Sequence, residues 1–509
     1  MGAMGERRKG WPAAAAAILA GLSLGLSSPV LAAAAKPVPQ PVTTLIAAPG
    51  APFLGLGAFD LGALGYVVEE FIVSGTATSY KLTGEPTPDG AWTAEPADTA
   101  PYATRIVVVR PKDPKKFKGT AAVEWLNVTG GLDAGPDWTY SHREILRSGM
   151  AYVGVSAQKV GVEGGQSLGG AGMPLKKANP ARYGNLVHPG DQFSFDIFSQ
   201  AGEAVKHGHV LGPLKARRVL ATGESQSAVF MTTYIDAIDP IAKVYDGFYV
   251  HSRFGGAPRP EAAAMRGGPN GRPGPAGVKL RADLRVPVMT LISETDLIGT
   301  GLSGFWNADQ PDNAKLRIWE MPGTAHVDNY MFMVGALDNG SAPLEKIAAL
   351  WKPTDALLGA KMAHPINSAP QHHYVAVAAM AALDRWVSTG KAPPKAPRMD
   401  TEPPAKAGDA PKLVADAQGN TKGGIRTPWV DAPTARLSGF GNTGGPFGFL
   451  VGTTEPFDAA TLARLYPGGK AEYLKRFDAS LDRAVKGGFI LKADAPEIRA
   501  LAAENWPAG

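Results

Sequence analysis

The stretch RVLATGESQSAVFMTTYI (Arg218–Ile235) leaves this chain few folding options. Val219–Thr222 reads as a buried strand, and an apolar helix begins almost at once after it. Only Gly-Glu-Ser-Gln-Ser lies between them. So short a turn brings the strand and helix backbones together, and small side chains are needed on either side of its tip. Gly223 and Ser227 hold those places, two residues before and after Ser225. Ser227 departs from the usual Gly-x-Ser-x-Gly by one hydroxymethyl group, which weakens the pattern on steric grounds without breaking it. Gly-x-Ser-x-Ser alone is a weak signal, and a serine that merely occupies a tight turn is the alternative.

The segments around this turn alternate in the same manner. YVVEEFIVSGTATSYKL, YATRIVVVRP and GTAAVEWLNVTGG are rich in β-branched and aromatic residues and separated by Gly, Pro or Asp clusters. A helical stretch, Ser141–Ser148, leads to the strand AYVGVSAQ, and DQFSFDIFSQAGEAVKHG has helical spacing of apolar residues. VYDGFYVHS, VPVMTLIS and KLRIWEMPG continue the strands, and YVAVAAMAALDRWVSTG (Tyr374–Gly390) reads as a long helix stopped by Gly. Strands alternating with helices predict an α/β fold, its central sheet mostly parallel after an antiparallel start. Gly255–Gly277, dominated by Gly, Pro, Ala and Arg, reads as a mobile excursion placed where a lid is often inserted. With 44% hydrophobic and 19% charged residues, the chain of 509 residues has the composition of a globular protein with a large core.

The N-terminus carries its own signal. Arg7, Arg8 and Lys9 precede the largely apolar run Trp11–Leu26, then Pro29 and a small-residue site near Val30-Leu31-Ala32. This is a secretory signal pattern, with an uncleaved anchor as the alternative. We expect residues 1–32 to be a signal peptide and 33–51 an Ala/Pro-rich linker. A catalytic domain over 52–395 and a C-terminal extension over 396–509, packed on that domain or continuous with it, complete the organisation. Nothing after the signal offers an apolar run long enough for a membrane span, so the mature protein is expected to be secreted or periplasmic. There is no cysteine, which excludes disulfides and thiolate chemistry. The net charge of +5 includes two positive charges from the signal region, and the remainder is too diffuse to point to nucleic acid.

A serine becomes a nucleophile only with a base, an orienting acid and oxyanion donors. In an α/β-hydrolase sheet these follow in the order serine, acid, histidine, at the carboxyl ends of strands. VPVMTLIS ends in Ser293-Glu294-Thr295-Asp296, so Asp296 is the expected acid, with Glu294 as the alternative. Either is otherwise a helix cap or a solvated loop charge. RIWEMPGTAHVDNY puts His326 on the loop after the next strand, the one histidine in this context downstream of both other candidates. The oxyanion donors are expected at the amide of Gln226 and at Val128 or Thr129, on the Gly-rich loop after AAVEWLN. Glu224, Asn127, His188, His251 and Trp138 are candidates for the substrate pocket. Trp125, Trp306 and Phe305 are further aromatic candidates, although tryptophans more often sit in cores.

At these residues the chain resembles a known family. VEWLNVTGGLDAGPDW, HPGDQFSFDIFSQAGEA, TGESQSA and GNTKGGIRTPWVD are similar to secreted bacterial proteins with an α/β-hydrolase domain of serine-esterase type. RTPWVDAP and LYPGGKAEYLKRF fit as well, so the resemblance spans nearly the whole mature chain. It implies an α/β-hydrolase fold and a serine hydrolase acting on a small-molecule or lipid-like ester, and it makes GESQS this family's own elbow. It does not imply a particular substrate. The same triad also serves acyl transfer or amide hydrolysis, and a non-catalytic envelope binding protein is the reading from another class. No phosphate loop and no His-Glu-x-x-His is present, and Glu69-Glu70 and the charges near Asp312 lack metal-ligand spacing. No cofactor or metal is expected.

Overall fold

Parallel strands covered on both faces read as mainly apolar runs, and the middle of this chain supplies six of them. The computed structural model describes residues 37–170, 172–262 and 275–506. Nine strands form one sheet: β1 (Val42–Leu45), β2 (Tyr66–Leu82), β3 (Ala94–Pro111), β4 (Thr120–Trp125), β5 (Ala151–Val155), β6 (Arg218–Glu224), β7 (Gly247–His251), β8 (Val288–Ser293) and β9 (Leu316–Met321). Their order across the sheet is β1-β2-β3-β5-β4-β6-β7-β8-β9. β1, β2 and β3 pair antiparallel, as does β3 with β5; from β5 to β9 every pairing is parallel. The α/β-hydrolase fold class read from the sequence is the observed one.

The parallel strands are buried at every position except Arg218. Their side chains alternate between two cores. Val219, Ala221, Phe248, Val250 and Ile292 join Trp125, Phe195, Phe198 and Tyr234 on one face. Leu220, Tyr249, Met289 and Leu291 join Tyr374–Leu383 on the other. Helix Ser194–His207 and the elbow helix Gln226–Thr233 cover the first face. Helices Pro136–Arg147 and Gln371–Thr389 cover the second.

Two elements run further than their local sequence signals. β3 begins at Ala94, not near Tyr102, and passes through Pro96 and Pro101. Proline removes a ladder donor, and it is tolerated here because β3 meets β5 only over Ile106–Val109, so that Pro96 and Pro101 face no strand on that side. The first helix after β4 begins at Pro136 instead of Ser141. Proline suits a first helical position, and buried Glu124 accepts the amides of Asp137 (2.8 Å) and Trp138 (2.9 Å), which have no acceptor within the helix.

Beyond Gly390 the chain returns repeatedly to the same sheet. Met399 donates to the Glu320 side chain and Ile425 to the Glu320 carbonyl of β9. Helices Gly469–Gly487 and Ala495–Glu504 pack on the second core, and Arg143 and Arg147 pair with Glu497 and Asp494. Among the described residues no helix is long and apolar enough to cross a membrane. The expected signal peptide lies outside the described residues, as does 263–274 of the Gly/Pro-rich excursion.

Candidate active site

At the carboxyl end of β6 the chain turns into the elbow helix at Ser225, whose backbone is held at φ 59° and ψ −120°. A non-glycine residue in this region costs about 1–3 kcal/mol. The surrounding contacts maintain it: the Ser225 amide donates to the His251 carbonyl of β7 (3.0 Å), and Val229 donates to the Ser225 carbonyl (3.1 Å). A Cβ at Gly223 would stand 3.2 Å from the Ser227 backbone, so the strand side of the turn has room for little but glycine. The helix side accepts Ser227 without exposing it. The asymmetry of Gly-x-Ser-x-Ser is therefore steric.

Ser225, His326 and Asp296 meet from three strands. His326 Nε2 lies 2.7 Å from Ser225 Oγ, and His326 Nδ1 lies 2.5 Å from Asp296 Oδ1. Asp296 Oδ2 accepts the Ser293 amide (2.8 Å) while Ser293 Oγ accepts the Asp296 amide (3.2 Å), a reciprocal cap on the short helix Glu294–Ile298. Burial pushes the Asp296 carboxyl up, but the neighbouring His326 and the hydrogen bonds from His326 and Ser293 outweigh it and hold the group below its ordinary value.

Glu294, the alternative acid, does not touch the imidazole. Its two oxygens accept the amides of Gly323 (2.6 Å) and Gly439 (2.8 Å), joining the loop that carries His326 to the C-terminal segment. The two carboxylates are two residues apart in sequence and diverge because the intervening turn is already helical.

The oxyanion loop is also sharper than its sequence. Thr129 is excluded as an amide donor, since its N–H is taken by Asn127 Oδ1 (2.8 Å). Neither the Val128 amide nor that of Gln226, at the first position of the elbow helix, donates to any described residue. Asn127 Nδ2 donates to the Glu224 carbonyl (3.2 Å), so one side chain fixes the loop to the elbow. Asn127 is thus a brace for the donors, not a wall of the pocket.

A cavity of about 580 Å³ opens beside Ser225. Val128 and Thr129 line it from the loop after β4, and Gln158 from the loop after β5. Phe230, Phe254, Leu302, Phe449 and Leu450 supply an apolar wall. Phe254 lies against the His326 ring at 5.0 Å. Phe449 and Leu450 come from the C-terminal segment, held where Val327 donates to the Leu450 carbonyl (3.2 Å). Gln158 was not marked by any motif; its Oε1 accepts from Trp125 Nε1 (3.0 Å) and Gln226 Nε2 (2.7 Å).

The remaining sequence candidates lie elsewhere. His188 is buried, with Nε2 against the Ala157 carbonyl (2.8 Å), and pins its own loop. Trp138 donates to the Leu56 carbonyl (3.1 Å) and packs on Tyr152. His251 is buried between Asp137 and His372. Trp125, Trp306 and Phe305 do not line the cavity either, Trp125 and Phe305 being core residues and Trp306 packing against that core. Glu224 is buried with Oε1 3.6 Å from His326 Nε2 but outside the cavity wall. Burial first, then Asp137, Asp296 and Glu124, drive its carboxyl well above the ordinary value.

A comparison with protein families matches the alpha/beta hydrolase domain over residues 34–500. The chain belongs to the alpha/beta hydrolase domain family. Among solved structures, this family member is similar to an α/β serine hydrolase without lid from Xanthomonas campestris, at 12% identity and TM-score 0.25, covering 50% of this chain and 85% of that one. A thermostable esterase from Pseudomonas putida matches at 14% identity and TM-score 0.25, covering 47% and 66%. Acetyl xylan esterase 1 from Thermoanaerobacterium matches at 10% identity and TM-score 0.29, covering 56% and 82%. Likenesses this distant carry no substrate. No curated protein matches the chain.

The carboxyls of this hydrolase-domain core set a stability slope. Burial raises Asp137 to about 8 and Asp328 to about 7, and drives Glu124 and Glu224 well above their ordinary value. Above pH 7 the unfolded chain has released these protons while the folded chain retains part of them, so stability falls as pH rises. Each retained proton contributes about 1.4 kcal/mol per pH unit. Histidines held low do not oppose this, being neutral in both states there. Urea unfolding should give a midpoint that declines steadily from pH 7 to pH 9; a flat or rising midpoint contradicts the neutral-acid core.

Proposed function

We propose that the chain is an extracytoplasmic serine hydrolase that cleaves carboxylic esters through an acyl-enzyme. The observation that carries this reading is the hydrogen-bonded line Ser225–His326–Asp296 at a strained elbow beside an apolar cavity. His326 Nε2 takes the Ser225 proton as Oγ attacks the ester carbon. Asp296, kept ionised, orients the ring and stabilises the imidazolium. The amides of Val128 and Gln226 receive the oxyanion, and His326 then returns the proton to the departing alcohol. Water repeats the sequence and releases the acid.

The cavity fits a small-molecule or lipid-like ester of modest size, its apolar portion on Phe230, Phe254 and Leu450. The extracytoplasmic location rests on the basic and apolar pattern of Arg7–Leu26 followed by Pro29.

Short-chain p-nitrophenyl esters should be hydrolysed, and a fluorophosphonate should label the protein. Ser225→Ala should abolish both. Asp296→Asn should lower kcat by about 10³–10⁴-fold, far more than Glu294→Gln. Labelling that survives Ser225→Ala overturns the nucleophile, and the opposite ranking of the two acids overturns the acid.

Asn127 offers a separate check on the oxyanion loop. Asn127→Ala should lower kcat by roughly 10–100-fold while KM changes little, because only the charge developed during reaction uses the braced donors. A change confined to KM would return Asn127 to the substrate pocket.

A further inference from the structure

Gln226, Gln158 and Asp191 line the cavity as one hydrogen-bonded row, and its bonds fix which polar atoms remain free. Trp125 Nε1 is a donor only, so the atom it meets at 3.0 Å is the oxygen of the Gln158 amide. The same oxygen accepts Gln226 Nε2 at 2.7 Å. The other end of the Gln226 amide, the acceptor Oε1, is then left buried and without a partner. Gln158 Nε2 faces Asp191 Oδ2 at 3.4 Å, which is long for such a bond.

Asp191 divides its two oxygens between tasks. Oδ1 accepts the Lys159 amide at 2.7 Å and so caps the short helix Lys159–Glu163. Oδ2 has only the long contact to Gln158. The carboxylate is half-buried and takes part in no ion pair among the described residues. His188 feels its charge but is no counter-ion. Burial lowers the His188 pKa, and its ring nitrogens are occupied by the Ala157 carbonyl and the Gly190 amide. The row therefore offers two acceptors with unspent capacity, Gln226 Oε1 and Asp191 Oδ2. Taking such groups out of water costs free energy unless a donor meets them.

We infer that this row recognises a hydrogen-bond donor, a hydroxyl or ammonium group, carried on the acyl portion of the ester. The side of the ester follows from the leaving group. The alcohol departs beside His326 Nε2, which protonates it, and the cavity wall next to that ring is apolar. Phe254 lies 5.0 Å from the ring, and Leu450 is held by the Val327 amide. The acceptor row starts instead at Gln226, whose own amide receives the oxyanion in the proposed reaction. An acyl chain running from there along Gln158 to Asp191 meets both free acceptors. A carboxylate on the same chain would face Asp191 with like charge. Gln226 and Asp191 act through specificity, and neither side chain enters the bond-breaking steps.

The inference rests on the serine-hydrolase reading, and the test separates the two. Values of kcat/KM are compared for methyl butyrate, its analogues with a hydroxyl or ammonium at C2 or C3, and monomethyl glutarate. The best donor-bearing esters should exceed methyl butyrate by roughly 10–100-fold, and monomethyl glutarate should fall below it. Asp191→Asn keeps an oxygen for the Lys159 amide and replaces Oδ2 with a donor. It should abolish the preference for ammonium over methyl butyrate and relieve the penalty on monomethyl glutarate. The ratio between esters is the readout, because damage to the helix cap would lower all of them together. A parallel loss for every ester in Asp191→Asn, or no preference for donors in the unmodified protein, overturns the inference. A larger gain with 2-hydroxyethyl butyrate, whose hydroxyl is on the alcohol, overturns the assignment to the acyl side. Fluorophosphonate labelling of Ser225 without turnover of any donor-bearing ester sinks the inference alone. Neither labelling nor turnover of any ester sinks the hydrolase reading.

Discussion

The site depends on one backbone constraint, the forced conformation of Ser225. A strand that ends in the middle of a parallel sheet and passes at once into a helix leaves its tip residue at positive φ. Gly223 against Ser227 makes that turn possible, and the Ser225–His251 backbone bond holds it. The strain places Oγ beyond the sheet edge and leaves the Gln226 amide with no partner within its own helix. The proposed nucleophile and the proposed oxyanion donor are thus two results of the same turn.

The second organising fact is how charge is rationed in the core. Asp296 is held below its ordinary value by the imidazole and the Ser293 bonds, whereas Glu224, close by, is held far above it. Environments that push neighbouring carboxyls apart assign them different tasks. An ionised Glu224 would offer His326 Nε2 a second anion and compete with Ser225. Elsewhere burial is matched by pairing, as where Arg105 lies between Glu70 and Asp133 beneath the oxyanion loop.

The strand-and-helix order was legible because fully buried parallel strands leave continuous apolar runs, and the full-length sheet reproduces nearly all of them. The prolines of β3 hid its first half, since sequence does not reveal that one edge of it is free. Ser225, Asp296 and His326 could be proposed from order and strand context. The choice between Asp296 and Glu294 required the direction of one helical turn. Phe449 and Leu450 approach the pocket from more than a hundred residues past His326, and no local pattern announces such a return. His251 and His188 were reasonable pocket candidates by position, and they point instead into the core and into a loop.

The most direct test of the central claim is to trap the covalent intermediate. Turnover of a p-nitrophenyl ester would be quenched in acid, and the peptide containing Gly223–Ser227 weighed by mass spectrometry. The account predicts one acyl group, located on Ser225, at a level that rises and falls with substrate. Hydrolysis that proceeds with no acyl group on Ser225, or with the group on another residue, would contradict it.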